Sequence, residues 1–326
     1  MEKIITIITL VHNKGKYIQT WARSLAKQTY LDKMKILVTD DGSTDNSLAQ
    51  IKKFSDEYKL PVEITCNEKN MGLMYSVRNA YRKIDTKYFA VLDADDYYLS
   101  SEKVEKAVKF LEKNPDYSAY ACNTLNVYPN NENKISQPQH WENKTFPHFK
   151  DAPFFQTAST TFRNFFDTKL LDAIDEVTEG HRSHAFQGDA FRNVLAFRAG
   201  KFYFENSIDC VWRRDIGIWG TTSKFSQDIA NIKSYYAYFD FFRKYFEIDE
   251  IAVTCLNISV DRYRRLLNTL RDIIESFYVD NFAIDANFSA LLKIGEEDFN
   301  KIYDTLLEQY KIYAQLGVSV QTVQKE

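Results

Sequence analysis

Residues 88–99 read YFAVLDADDYYL. A mostly apolar run ends abruptly in Asp93, Asp95 and Asp96. Such a run suits a buried strand and is too short for a helix. Three carboxylates at its tip repel one another unless something positive sits among them. The same grammar recurs upstream. KIITIITLV (3–11) precedes the loop HNKGKY, MKILVT (34–39) precedes DDGSTDNS, and VEITC (62–66) precedes NEKNMG. Helical stretches lie between: residues 16–28 place Ile18, Trp21, Ala22 and Leu25 at helical spacing, and 45–58, 72–84 and 102–113 follow. Ser43 or Thr44, and Ser100 or Ser101, are the expected N-caps. YSAYACN (117–123) reads as a further strand.

This alternation predicts an α/β fold with a mostly parallel, twisted sheet flanked by helices. Ligands of such sheets bind at the strands' carboxyl ends, where HNKG, DDGSTD and DADD all fall. Carboxylate oxygens are hard ligands for Mg²⁺ or Mn²⁺, ions that bind through one or two carboxylates plus substrate phosphates. The acidic tip therefore reads as half a metal site, with Asp93, Asp95 and Asp96 as ligands and a diphosphate completing it. If the strand continues, Asp93 and Asp95 share a side. The competing reading is a solvated acidic turn, and it competes best for Asp96 alone.

ITIITLVHN (5–13), VTDDGSTD (38–45), NEKNMGLMYSVRN (67–79) and VLDADD (91–96) together resemble the successive signatures of family 2 glycosyltransferases of GT-A fold. The resemblance covers roughly the first 125 residues. It implies that Leu10, Val11 and His12 lie against the nucleotide base and that Asp41, with Asp40 beside it, contacts uracil. It places Arg78 at base or phosphate, Asp93 and Ala94 at the nucleotide, and Asp95 on the metal. FQGDAFRNVLAFRAGKFYF (186–204) resembles the segment that holds the catalytic base; Gly188 stands where the first of two acids is usual, and Asp189 remains as the base. Arg213 or Arg214 could pair with phosphate, and Trp212 or Trp219 could stack on sugar, with Gly217 and Gly220 allowing the loop to move. Each residue also has a plainer role open to it: turn and cap for Asp40 and Asp41, surface charge for Arg78, helix N-cap for Asp189.

The implied organisation is a nucleotide-sugar-binding half (1–125), an acceptor and base half (126–225) and a helical C-terminal region (226–326). Residues 125–157 read as a long loop or lid, residues 186–199 as a helix, and 201–212 as a strand or hairpin. HRSH (181–184) has two histidines three apart but no evident third ligand. The tail SYYAYFDFFRKYF (234–246) could pack on the catalytic domain, form a homodimer contact, or touch a membrane that holds a lipid-linked glycan acceptor.

Among 326 residues, 44% are hydrophobic and 27% charged, an ordinary soluble composition, and the net charge of −3 supplies no basic field for nucleic acid. Cys66, Cys122, Cys210 and Cys255 are scattered and read as reduced thiols. No run approaches a membrane span, so the expected location is cytoplasmic, with peripheral contact at the inner membrane face left open. The expected activity is inverting, metal-dependent transfer from a UDP-sugar to a glycan or glycolipid hydroxyl in surface polysaccharide synthesis. Two alternatives stand beside it: a non-catalytic nucleotide-sugar-binding scaffold, and a sugar-phosphate nucleotidyltransferase, for which HNKGKY is a poor phosphate loop. A dinucleotide dehydrogenase is disfavoured because no GxGxxG follows the first strand.

Overall fold

The computed structural model describes residues 2–130, 132–138, 141–179, 186–214, 224–279 and 307–317. HRSH, Gly217, Trp219 and Gly220 lie outside the described residues. The chain divides into two compact units, Met1–Thr221 and Thr222–Glu326.

In the first unit, β1 (Ile5–Val11), β2 (Met34–Asp40), β3 (Val62–Cys66) and β4 (Tyr88–Val91) pair in parallel in the order β3-β2-β1-β4. Helices α1 (Ile18–Ala26), α2 (Ser47–Glu57) and α3 (Leu73–Tyr81) connect them. Ile5, Ile7, Ile8, Ile36, Leu37 and Val38 are all buried, which is why these strands read as continuous apolar runs rather than alternating ones. Trp21 fills the space under β1 and donates from its indole to Thr9 Oγ1 at 3.1 Å.

The strand into the acids is shorter than its apolar run. Leu92 still donates its N–H to Ile8 O, but the Asp96 N–H closes a turn onto Asp93 O at 3.0 Å. Asp93 to Asp96 thus form a turn, and strand alternation does not decide which way they face. After the turn come β5 (Tyr97–Tyr98), α4 (Lys103–Lys113) and β6 (Tyr117–Val127). The region expected as a long loop carries the end of β6 and two short strands, β7 (Asn133–Ile135) and β8 (Lys144–Phe146), paired antiparallel to β6 and β10 (Lys201–Arg213) respectively. β9 (Thr160–Arg163) runs antiparallel between β4 and β6.

The sheet has ten strands, and its main path is β3-β2-β1-β4-β9-β6-β10-β5. β10 is one long strand rather than a hairpin, parallel to β6 with register shifts between Glu205 and Cys210. It also pairs Cys210 with Tyr98 and Val211 with Tyr97, which fastens it to the strand leaving the acidic turn. Two helices complete the unit. α5 (Thr168–Thr178), not anticipated from sequence, is capped by Asp167, which accepts from the Leu170 N–H; α6 is Gly188–Ala199.

The caps differ from expectation. Asn46 and Glu102 occupy the N-cap positions of α2 and α4; Ser100 Oγ accepts from the Glu102 N–H two residues on, and Ser43 Oγ accepts from the Asn13 N–H instead of capping α2. At α6 the N-cap is Gln187, so Asp189 is an acid of the first turn.

The second unit contains α7 (Lys224–Tyr245), α8 (Glu250–Val279) and a helical segment at 307–315. Ile232, Val260, Tyr263, Leu266 and Tyr313 form its core. Ser259 Oγ donates to Ile232 O at 2.6 Å and lies 2.7 Å from Tyr313 OH, which ties the segments together. Among the described residues no helix is long and apolar enough to cross a membrane.

Candidate active site

The loops after β1 and β2 are built as one piece. Asn13 takes a left-handed conformation (φ 55°), and its amide oxygen accepts from the N–H groups of Thr44 and Asp45. Ser47 Oγ accepts from the Lys14 N–H at 2.7 Å. His12 Nδ1 lies 2.9 Å from Asp41 O, so the imidazole is tied to the second loop. Gly42 has φ 67°, and a Cβ there would sit 2.4 Å from the Lys69 carbonyl carbon, so only glycine allows this approach. Leu10 is half-buried and Val11 buried.

Asp41 is 6% exposed, and its carboxylate accepts from Asn67 Nδ2 (2.7 Å), the Met71 N–H (2.8 Å) and the Gly72 N–H (3.0 Å). It thereby anchors the loop between β3 and α3. Asp40 is 4% exposed; its Oδ2 accepts from the Ser43 N–H, while its Oδ1 is buried without a partner among the described residues. A buried carboxylate oxygen lacking a donor is costly, and a ligand N–H would satisfy it.

The turn after β4 has its positive partners. Lys14 Nζ lies 2.5 Å from Asp95 Oδ2, with the two side chains 21% and 14% exposed. Arg213, at the end of β10, donates its backbone N–H to Asp96 Oδ1 at 2.9 Å and its guanidinium to Asp95 O. That guanidinium also sits 4.7 Å from the Tyr97 ring and 5.0 Å from the Tyr17 ring. Gln156 Nε2 donates to Asp96 Oδ2 at 3.4 Å. Asp96 is therefore engaged at both oxygens and 2% exposed; burial, then the charges of Asp95 and Asp93, push its carboxyl well above the ordinary range.

Asp93 is half-buried. Burial and then the charge of Asp95 push its carboxyl up to about 7, with Asp189 pushing the same way and Arg192 and Lys14 opposing. The charge of Asp189 thus reaches the acidic turn from the first turn of α6. Asp189 itself is half-buried; its Oδ1 accepts from the Ala190 N–H and its Oδ2 accepts weakly from Thr157 Oγ1 at 3.4 Å. Gly188 faces Leu73 and Met74, 3.7 Å from where a Cβ would be, so an alanine would fit here but a long acid would meet apolar side chains.

The fold thus gathers Asp93, Asp95, Asp189 and Arg213 within electrostatic or bonding reach of one turn, with Ala94 buried inside it. Arg78 is not brought to the acids: its Nη1 donates to Asp175 O and Thr178 Oγ1 on α5, and its guanidinium stacks on Tyr75. Arg214 stacks on Trp212, 3.9 Å from the ring centroid. Three contributors were missed in the sequence. Lys14 could have been found, as the cation in the loop after the first strand. Gln156 carries no motif and arrives through tertiary packing; Arg192 lies inside the quoted stretch 186–204, one turn after Asp189, and that spacing could have found it.

Among the described residues no group of three or more His, Cys, Asp or Glu is arranged to hold a metal ion. With Asp96 engaged by Arg213 and Gln156, the expected three-acid set reduces to Asp93 and Asp95. Those two fit a divalent ion: Asp93 is held against the charge of Asp95, and an added cation would relieve that repulsion.

Comparison with known proteins agrees with this layout. Residues 6–172 match Glycosyl transferase family 2. An uncharacterized glycosyltransferase of Haemophilus influenzae is 34% identical over 116 residues, 36% of this chain and 35% of that protein. The poly(ribitol-phosphate) beta-N-acetylglucosaminyltransferase TarS of Staphylococcus aureus is 30% identical over 110 residues, 33% of this chain and 19% of that one. These alignments span about a third or less of the relatives' own length. In three dimensions, TarS 1–349 in complex with UDP-GlcNAc superposes with a TM-score of 0.61 at 18% identity, covering 94% of this chain and 80% of that one. The mannosyltransferase PcManGT of Pyrobaculum calidifontis, in complex with GDP-Man and Mn²⁺, gives 0.56 at 14% identity, covering 96% and 87%. Those likenesses establish the GT-A type of fold. The family match covers just over half of the 326 residues and includes both acidic loops, and on that ground the chain belongs to glycosyl transferase family 2.

Proposed function

We propose that this chain is an inverting, metal-dependent glycosyltransferase that moves a sugar from a nucleoside-diphosphate sugar, most readily a UDP-sugar, to a hydroxyl of a glycan or glycolipid acceptor in surface polysaccharide synthesis. The observation that carries the reading is the meeting of two carboxylate systems: Thr157 donates to Asp189 of α6 while its neighbour Gln156 donates to Asp96 of the turn after β4, and the charge of Asp189 acts on Asp93 in that turn. One system suits a cation and diphosphate; the other suits a proton acceptor on the far side of the transferred sugar.

Asp93 and Asp95 would hold Mn²⁺ or Mg²⁺, which when bound supplies positive charge against the departing diphosphate. The Arg213 guanidinium, held between Tyr17 and Tyr97, adds a fixed positive charge at the same edge. Leu10, Val11, His12 and the Asp40–Asp41 loop form the nucleoside side, where the unpartnered Asp40 Oδ1 suits an N–H donor. Asp189 takes the proton of the acceptor hydroxyl as that oxygen attacks the anomeric carbon. Its two present donors leave lone pairs free for that proton. The UDP-GlcNAc complex of TarS and the GDP-Man and Mn²⁺ complex of PcManGT support the donor class and the metal by likeness.

The test measures nucleotide release from a panel of UDP- and GDP-sugars with Mn²⁺, for wild type and Asp189→Asn. The expected result is a loss of about 10²–10⁴-fold in turnover, with nucleotide-induced thermal stabilisation retained. Nucleotide binding without turnover in either protein would favour a scaffold instead. Equal turnover in both would remove Asp189 from the chemistry.

A further inference from the structure

We propose that Lys14 is the resident counter-ion of the acidic turn: it holds Asp95 while no metal is bound, cedes that carboxylate to the divalent ion, and then binds the diphosphate. This rests on the proposed metal and nucleotide-sugar chemistry and adds a residue and an order of events to it.

Three observations carry it. First, Lys14 Nζ lies 2.5 Å from Asp95 Oδ2, so the ammonium engages one of the two carboxylates that fit the metal. A divalent ion bound at the same carboxylate would lie close to this ammonium, and the repulsion between the two cations sets them in competition for Asp95. Second, the backbone at Lys14 is fixed while its head is not. The Lys14 N–H is bound to Ser47 Oγ, the Gly15 N–H to Asp45 Oδ2, and the Lys14 carbonyl accepts from Tyr17. From that base a flexible four-carbon stem carries the ammonium, and at 21% exposure it has room to swing. Third, among the described residues no other hydrogen bond or ion pair ties the Lys14 head, whereas the other cation at this edge, Arg213, is committed to Asp95 O and stacked between two tyrosines. Once displaced, Lys14 remains tethered at the carboxyl ends of β1 and β4, where a diphosphate bridged to Asp93 and Asp95 would present its oxygens. A compact ammonium suits that as a point charge.

The arrangement makes opposite demands of the two ligands. Removing Lys14 should strengthen metal binding by the nucleotide-free protein, because the competitor is gone. It should weaken nucleotide binding once metal is present, because a phosphate contact is gone. A merely structural ion pair predicts neither.

The experiment follows free Mn²⁺ by its electron paramagnetic resonance signal in titrations of wild type, Lys14→Met and Lys14→Arg, without nucleotide and with UDP. Thermal melts confirm that each protein is folded. For Lys14→Met the expected results are Mn²⁺ affinity raised about three- to fivefold without nucleotide, and UDP affinity at saturating Mn²⁺ lowered by a similar factor. Lys14→Arg, which keeps the charge, should stay near wild type in both. Equal or weaker Mn²⁺ binding by Lys14→Met, including no binding by any of the three without nucleotide, overturns the proposal while leaving the glycosyltransferase reading intact if Mn²⁺ and UDP still bind together. Failure of wild type to take up Mn²⁺ even with UDP overturns both.

Discussion

β2 and β4 are neighbours of the same central strand, and aspartates follow each at the same edge of the sheet: Asp40 and Asp41 at the end of β2, and Asp93, Asp95 and Asp96 in the turn after β4. Their carboxylates have opposite fates. Asp41 is buried and surrounded by donors: Asn67, Met71 and Gly72 all point hydrogens at it. Asp93 is held against another carboxylate and pushed up to about 7. An acid that collects backbone N–H groups stabilises its loop with no help from outside. An acid held against its own kind leaves a deficit of positive charge that Lys14 offsets only in part. The motif looks alike in the two places; the number of donors decides whether it builds the protein or binds something.

Mutations can break that contrast, and the largest expected effect is at Asp41. Asp41→Ala removes the acceptor of the Met71 N–H and of one Asn67 amide hydrogen, while the Gly72 N–H keeps Asn70 Oδ1, and should cost on the order of 3 kcal/mol, a fall of roughly 6–12 °C in Tm, read by calorimetry. Next is pH. The folded-state pKa of Asp93 lies above the unfolded carboxylate value, so the folded protein binds the extra proton. Stability of the metal-free protein should therefore fall as pH rises from about 4 to about 7. The slope cannot exceed about 1.4 kcal/mol per pH unit for one proton. It should flatten in Asp93→Asn, and Mn²⁺ uptake should rise with pH over the same window, since the ion takes the deprotonated carboxylate. A pH-independent melting curve would contradict the contrast. Asp167 sharpens it with a single-donor carboxylate: it caps α5 through one N–H, and Asp167→Ala should cost about 1 kcal/mol. The smallest change in stability is expected at Asp95. Its partner Lys14 is partly exposed, so Asp95→Asn should shift stability by less than about 1 kcal/mol while removing Mn²⁺-dependent UDP binding.

The apolar runs of β1, β2 and β4 were legible because strands buried on both faces leave no polar interruptions. The loops that carry the candidate site were legible for the same reason, as abrupt ends to those runs. What was not legible came from pairings distant in sequence. Arg213 reaches Asp96 across 117 positions and Gln156 across 60, and no local pattern encodes either contact. β7 and β8 are three residues each, too short for periodicity to register. Arg78 shows a contact of the same kind: its place in a familiar stretch implies the nucleotide, and in this structure its Nη1 donates to a neighbouring helix end that is invisible as such in sequence. Asp96 likewise has both oxygens engaged by residues distant in sequence.

The clamp of Arg213 on the acidic turn has a consequence for synthesis on the ribosome. Chains emerge N-terminus first, and the strands that carry both aspartate loops are complete long before residue 213 is made. A nascent chain halted at residue 172 would hold every loop of the family match yet lack Asp189, β10 and the residue that fixes Asp95 and Asp96. On the proposed mechanism, the candidate site is therefore complete only after the last strand of the sheet has been made and paired beside β6.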